Sequence, residues 1–282
     1  MEETTCILCG GGKARPLFAK ASRQGDVFQL NRCRACGLEF ISPRPTRGEI
    51  GAYYRADYFS RRDDRGYDDY FSERVRAEVE RVFVLNLRDL GFFEFEKSLG
   101  GEKTALDIGC AAGYFVSYLD ARGWDSRGID ISRECVDAAK SRGLRVDCGD
   151  YLSQSYPKKF KLITLWASIE HLHDPHLFLE KAWKDLDDGG TLFISTCRTG
   201  GMNFMRLFGR DWRFYNFPEH LYFFSRRTMK KILERAGFRM AAYRTYGSGF
   251  GKPGTPARRA ADFMAKRMYM GDMMLVGARK AR

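Results

Sequence analysis

Five residues, Thr104-Ala105-Leu106-Asp107-Ile108, form a short apolar run that passes directly into Gly109-Cys110-Ala111-Ala112-Gly113 and then into the helical pattern Tyr114 to Arg122. A strand handed by a glycine turn to a helix is the first part of a βαβ unit, and it commits the chain to a parallel sheet with right-handed crossovers. Gly109 and Gly113 let the backbone come close to a ligand, and the helix start offers free N–H groups to a carboxylate. Ser126-Arg127-Gly128-Ile129 reads as the second strand and ends at Asp130, followed by Ile131. A carboxylate at that strand tip, about 20 positions past the glycine turn, is placed to accept from both hydroxyls of a ribose. The pattern implies a nucleoside ligand. The dinucleotide spacing G-x-G-x-x-G is absent, so close backbone approach to a pyrophosphate is not provided. An amino-acid-bearing nucleoside is better served, with its ammonium near Asp107 and its carboxylate at the helix start.

Strand-like segments near 105, 127, 145, 163, 193, 242 and 275, with helices between the first five, predict an α/β fold with a doubly wound, mainly parallel sheet of seven strands. Leu106 to Gly113 closely resembles motif I of the class I S-adenosylmethionine-dependent methyltransferases, which have a Rossmann-like sheet. The resemblance implies S-adenosylmethionine as cofactor, held by Asp107, Gly109, Cys110, Gly113, Asp130 and Ile131. Asp147-Cys148-Gly149-Asp150-Tyr151-Leu152 resembles that family's adenine-contacting turn, with Asp150 at the exocyclic amine and Tyr151 or Leu152 over the ring. Phe160 to Trp166 resembles its fourth strand, running into Ala167-Ser168-Ile169-Glu170-His171-Leu172 beside the sulfonium; Lys161 stands where that strand usually begins with Asp. Asp188 to Ser195 is similar to the turn and fifth strand. Pro218-Glu219-His220-Leu221-Tyr222-Phe223-Phe224-Ser225, the helix Thr228 to Ala236 and Gly237-Phe238 resemble the segment after it in members from sugar and small-metabolite pathways. The resemblance covers residues 101 to about 245, and it implies that the last strand, Met273 to Ala278, enters antiparallel.

Four of the eight cysteines form two pairs, Cys6-x-x-Cys9 and Cys33-x-x-Cys36, each followed by glycine. Two thiolates two residues apart chelate one ion from a tight turn, and two such turns complete a tetrahedral sulfur shell that suits zinc. Asp26 to Arg32 alternates apolar and polar residues and reads as a strand delivering Cys33. A disulfide pair, an iron–sulfur site and a redox CxxC are the competing readings. Residues 1–45 are thus expected to be a small ribbon around a structural, closed zinc site. Its Cys36-Gly37-Leu38-Glu39-Phe40 and Pro43-Arg44-Pro45 sequences resemble zinc-bearing methyltransferases, including longer deoxysugar C-methyltransferases with an additional C-terminal domain. Cys110, Cys135, Cys148 and Cys197 sit among apolar neighbours and read as small buried hydrophobes.

After Pro43-Arg44-Pro45-Thr46, Tyr53, Tyr54, Tyr58 and Phe59 lie in a polar setting, and apolar residues from about Tyr67 to Ser98 recur at helical spacing. Residues 46–100 are expected to be a helical connector or lid, and 101–282 the methyltransferase domain with a substrate-side insertion at about 198–225. That insertion interleaves Arg206, Arg210 and Arg213 with Trp212, Phe214 and Tyr215, a composition that binds a diphosphate beside a sugar or base, or else forms an amphipathic cap.

The formal net charge is +12, yet residues 198–282 carry 19 Lys+Arg against 5 Asp+Glu, leaving 29 against 31 for the rest. A basic C-terminal third favours an anionic partner: a nucleotide-linked metabolite, a phospholipid surface or nucleic acid, with a solvated face as the bland reading. Its final helix, Pro253 to Met268, carries Arg258, Arg259, Lys266 and Arg267. No apolar run is long enough to span a bilayer, and the N-terminus lacks a secretory pattern, so a cytoplasmic location is expected.

Methyl transfer from a sulfonium is an in-line displacement, so alignment of the nucleophile matters most and a base is needed only for weakly acidic acceptors. Glu170-His171 and Glu219-His220 are the candidate catalytic pairs, because histidine serves as a base near neutral pH. His173 and His176, beside Asp174-Pro175, read as helix-start residues. The leading expectation is methyl transfer to a small anionic or nucleotide-linked metabolite. Two rivals are an RNA methyltransferase and a non-catalytic binding module; against the former, 166–171 lacks the Asn/Asp-Pro-Pro-aromatic tetrad used for base amines.

Overall fold

The computed structural model describes residues 1–54, 59, 69–201, 209–250 and 255–281; Tyr58, Tyr67, Arg206 and Pro253, named above, lie outside them. Three antiparallel strands come first, β1 (Ala14–Ala21), β2 (Val27–Cys33) and β3 (Glu39–Ile41). Two helices follow, α1 (Glu73–Asp89) and α2 (Phe92–Ser98). Ser72 caps α1 by accepting from the Val75 N–H, and Gly91, in the left-handed region, turns the chain between the helices.

The main sheet then builds up by alternation: β4 (Thr104–Ile108), α3 (Tyr114–Asp120), β5 (Asp125–Asp130), α4 (Arg133–Lys140), β6 (Val146–Cys148), β7 (Phe160–Trp166), α5 (Pro175–Asp185) and β8 (Leu186–Cys197). β9 (Tyr222–Phe223), α6 (Arg226–Arg235), β10 (Phe238–Tyr246), α7 (Pro256–Arg267) and β11 (Met273–Lys280) complete the chain. The order across the seven-stranded sheet is β10-β11-β8-β7-β4-β5-β6. The five strands from β8 to β6 are parallel, and β11 is antiparallel to both neighbours. This is the doubly wound sheet predicted from sequence, Rossmann-like and closed by an antiparallel strand.

β4 is buried along its whole length because helices cover both faces, which is why it reads as an unbroken apolar run. Leu106 and Ile108 pack with Leu179 of α5 and Ile232 of α6. Ala105 faces the other layer, with Phe92 and Phe95 of α2 and Phe115 and Leu119 of α3. The segment expected to be a connector therefore supplies core to the sheet. Likewise β9 joins β3, so the N-terminal strands and the segment after β8 share one four-stranded sheet, β1-β2-β3-β9. Trp212, Tyr215 and Phe217 are buried beneath it against Phe28 and Leu30. Those aromatic residues are hydrophobic filling, the cap reading of the insertion; the diphosphate-and-sugar reading would need them open.

Candidate active site

The parallel strands β4, β5 and β7 all end on one edge of the sheet, and the turns that follow them meet there. Gly109, with φ +73°, adopts the left-handed conformation that the turn requires, and a Cβ on it would lie 2.7 Å from Cβ of Ser168. The Ser168 hydroxyl donates to the Ile108 carbonyl at 3.0 Å. The glycine turn is thus sealed against the turn that carries Glu170 and His171. Gly113 is left-handed too, with Leu144 3.0 Å from where its Cβ would be.

Asp130 lies at the tip of β5 with both carboxylate oxygens facing backbone. Oδ2 accepts from the Ala111 N–H and Oδ1 from the Ser132 N–H, each at 2.8 Å. Each oxygen keeps acceptor capacity beyond that bond. Burial pushes its pKa up. Ile131 beside it is 71% exposed. Asp107, one strand over, is buried, and Thr164 of β7 donates to its Oδ1 at 2.6 Å. Burial, with Asp130 adding to it, pushes the Asp107 carboxyl up to about 8, so it is largely neutral at pH 7.

Other residues of the expected cofactor set are placed differently from one another. Asp150 remains at the surface, its Oδ1 accepting from the Leu152 N–H at 3.0 Å and its Oδ2 3.6 Å from the Arg47 guanidinium. Tyr151, expected over a base, is instead turned inward: its hydroxyl donates to Asp185 at 2.6 Å and Lys181 sits 4.6 Å above its ring. Leu152, the other residue weighed for that role, is partly buried against the core. The Cys110 side chain also points into the core, beside Val116 and Val136, leaving only its backbone in the turn. Trp166 packs against Phe83 of α1 and Phe115 of α3, and its buried Nε1 has no hydrogen-bond partner among the described residues.

Glu170, His171 and His220 converge, with a ligating atom of each lying within 4.8 Å of the others. The two imidazoles meet edge to face at 4.6 Å between centroids. The Leu221 N–H donates to the Glu170 carbonyl at 2.8 Å, which fixes one Glu-His segment on the other, and the Leu221 carbonyl accepts from the Ile41 N–H of β3. His171 Nδ1 is 2.9 Å from the Glu219 carbonyl and 2.9 Å from the Tyr54 hydroxyl. A carbonyl only accepts, so the bond to Glu219 requires the proton on Nδ1 and leaves Nε2 as the basic nitrogen of the neutral ring, whereas the Tyr54 hydroxyl can instead donate to an unprotonated Nδ1. His220 is buried, with Nδ1 3.9 Å from the Cys197 sulfur. Glu219 contributes to the group through its carbonyl. His173, by contrast, is a joint between segments, its Nε2 3.0 Å from the Pro45 carbonyl.

Tyr54, Arg44 and Ser168 lie in segments noted from the sequence, but none of them has an individual role there. Arg44 is buried and bonds Glu2, the His173 carbonyl and the Tyr222 hydroxyl, tying the N-terminal strands to the rest. Its place between two prolines was the available signal.

The four paired cysteines also converge, all four sulfurs lying within 4.8 Å of one another. The closest approaches, Cys6 to Cys36 at 3.3 Å and Cys9 to Cys33 at 3.5 Å, cross between the two turns and are too long for disulfides. Backbone N–H groups of Leu8 and Cys9 point at the Cys6 sulfur, and those of Ala35 and Cys36 at the Cys33 sulfur.

A family model described as a methyltransferase domain matches residues 71–243. The ubiquinone biosynthesis O-methyltransferases of Methylococcus capsulatus and Nitrosomonas europaea are 30% and 28% identical to this chain over 128 and 130 residues, 43% of the chain and 54% of each relative. The chain spans about half the length of the curated relatives it matches. Crystal structures of S-adenosylmethionine-dependent methyltransferases from Archaeoglobus fulgidus and Mesorhizobium loti superpose with TM-scores of 0.51 and 0.50, each at 18% identity. They cover 74% and 68% of this chain and 94% and 98% of those chains, a likeness of fold.

Proposed function

The chain belongs to the methyltransferase-domain family, and from that premise we propose that it transfers a methyl group from S-adenosylmethionine to a small anionic or nucleotide-linked metabolite, a sugar or natural-product intermediate. The observation that carries this reading is the contact between Gly109 and Ser168, because it puts the nucleoside-type turn two residues from Glu170 and the histidine pair. The residues fit the cofactor. Asp130 retains acceptor capacity on both oxygens for a ribose, Ile131 offers an exposed apolar face for a base, and Asp107 supplies a carboxyl that an ammonium beside it would ionise. S-adenosylmethionine supplies an electrophilic methyl group. The chain's own part is to exclude water, orient the acceptor and hold a proton.

In the tautomer that donates from Nδ1 to the Glu219 carbonyl, Nε2 of His171 is the basic nitrogen, and His220 stands edge-on to the ring, so the pair with the buried Glu170 carboxylate can accept and retain the proton of a hydroxyl or amine. Residues 1–45 support this from behind, through Ile41 and Leu221, by holding the second Glu-His segment in place. The four cysteines fit a structural zinc ion with a closed sulfur shell: two turns, four donors, and N–H groups aimed at the sulfurs. The relatives' ubiquinone-pathway names are compatible with a small acceptor.

The test incubates methyl-labelled S-adenosylmethionine with the protein and a lysate, then separates nuclease-sensitive polymer from filter-passing metabolites. Label in the small fraction supports the proposal, and label in polymer replaces it with RNA methylation. No labelled product, together with no binding of S-adenosylmethionine, would leave a non-catalytic module. With the acceptor identified, His220→Ala should lower kcat by roughly 10²- to 10⁴-fold while cofactor affinity stays unchanged.

A further inference from the structure

Helix α7 is built inside out. Of its twelve residues only Ala265 is buried, whereas Phe263 and Met264 are 63% and 53% exposed and Met268, at its C-cap, 56%. Helical spacing sorts the outward side into two neighbouring rows: Arg259, Phe263 and Arg267 four residues apart, and Ala260, Met264 and Met268 beside them. All six are exposed, and no exposed residue of α7 is acidic. The helix's remaining charges are engaged away from this face, Arg258 with Asp262 at 2.8 Å and Lys266 with Asp89 of α1. β10, the outermost strand of the sheet and in contact with α7, exposes Arg239 and Arg244.

A row of large apolar side chains facing water is a surface that something covers. Two copies of this face would bring arginine against arginine. A nucleic acid would be met by the arginines, but it gives no reason for two methionines at the centre. An anionic lipid surface answers both: phenylalanine and methionine enter the acyl boundary while flanking guanidiniums reach the headgroups. Among the described residues no helix is long and apolar enough to cross a membrane, so the helix would lie on such a surface. We propose that α7 docks this edge of the protein onto an anionic lipid bilayer, through Phe263, Met264 and Met268 with Arg259 and Arg267 as its charge complement. This inference stands apart from the methyl-transfer reading, and its test needs no turnover.

Vesicles of phosphatidylcholine containing about 30% phosphatidylglycerol are floated through a density gradient with the full chain, at low and high salt, beside vesicles of phosphatidylcholine alone. The expected result is flotation with the anionic vesicles that weakens with salt. Arg259→Gln/Arg267→Gln should weaken partitioning about thirtyfold, since each cation near such a surface contributes about fivefold. Phe263→Ser/Met264→Ser/Met268→Ser should weaken it at least tenfold while S-adenosylmethionine binding stays unchanged, which shows the variant is folded. Failure of the wild type to float overturns the proposal, as does flotation indifferent to both variants. So does a triple variant that changes sedimentation from dimer to monomer without changing flotation, since a second copy would then be the occupant. RNA retention that follows the arginines alone, without vesicle binding, overturns it in favour of nucleic acid.

Discussion

Asp107 should make cofactor binding release a proton. Its carboxyl, buried and bonded by Thr164, titrates near 8, far above an ordinary aspartate. An ammonium placed against it would favour the ionised form, so the bound state is the deprotonated one. Affinity should then fall as pH drops below about 8: by about fivefold from pH 8 to 7 and about fiftyfold from pH 8 to 6, following the ionised fraction of a single group. The α-amino group of S-adenosylmethionine loses its own proton near pH 8 as well, so the profile turns over there and the fall read from pH 8 is about half of that, about two- to threefold by pH 7 and about twentyfold by pH 6. Titration calorimetry of S-adenosylmethionine in two buffers of different ionisation enthalpy reads both the affinity and the proton released. Asp107→Asn keeps the shape and can still accept from Thr164, but should bind weakly at pH 8 and show no pH slope between 6 and 8. The same group has a consequence without cofactor. A raised carboxyl pKa means the native chain binds the extra proton between about pH 4 and 8, so its stabilising effect is complete below about 4 and lost as pH rises through 8. The variant's unfolding midpoint should therefore depend less on pH in that window. A wild-type affinity that is flat from pH 6 to 8, or a slope that survives in Asp107→Asn, would refute the reasoning.

Three further outcomes follow from named contacts. Cys33→Ser should reduce bound zinc from about one per chain to a small fraction and lower the melting temperature by more than about 5 °C, read by elemental analysis and calorimetry; unchanged metal content would remove the zinc reading. Gly109→Ala should destabilise by about 2–4 kcal/mol in urea unfolding, from a left-handed backbone plus the 2.7 Å approach to Ser168, and adding Ser168→Gly should recover only the steric part. Arg44→Leu should destabilise by about 2–4 kcal/mol, because the His173 carbonyl and Tyr222 hydroxyl lose a charged donor in a buried joint; a shift under about 0.5 kcal/mol would mean the joint is held by apolar packing alone.

What could be read from sequence and what could not divides along the range of the interaction. The central strands β4, β7 and β8 were legible because burial on both faces writes itself into them as apolar runs, whereas β5, β6 and β10 are partly exposed and are placed by their alternation with helices; a left-handed glycine turn is demanded by residues next to it. The strand β1 has no such signature, being half exposed along its length, and β9 is two residues whose pairing with β3 spans most of the chain. Tyr151 is the instructive case: its turn has the expected local sequence, but Asp185 and Lys181, a helix later, draw the ring inward. The arginine-aromatic insertion misleads in the same way, since Trp212 and Tyr215 look like a binding surface until β2 covers them. The histidine pair was visible as two Glu-His dipeptides, but nothing local says that they meet. That is decided by one backbone bond, Leu221 to Glu170, and by Ile41 behind it, so the N-terminal strands are part of what makes the site. A cysteine variant that loosens the ribbon should accordingly lower turnover through the Glu219-His220 segment while leaving binding at Asp130 nearly intact, an outcome that an independently folding metal module would not produce.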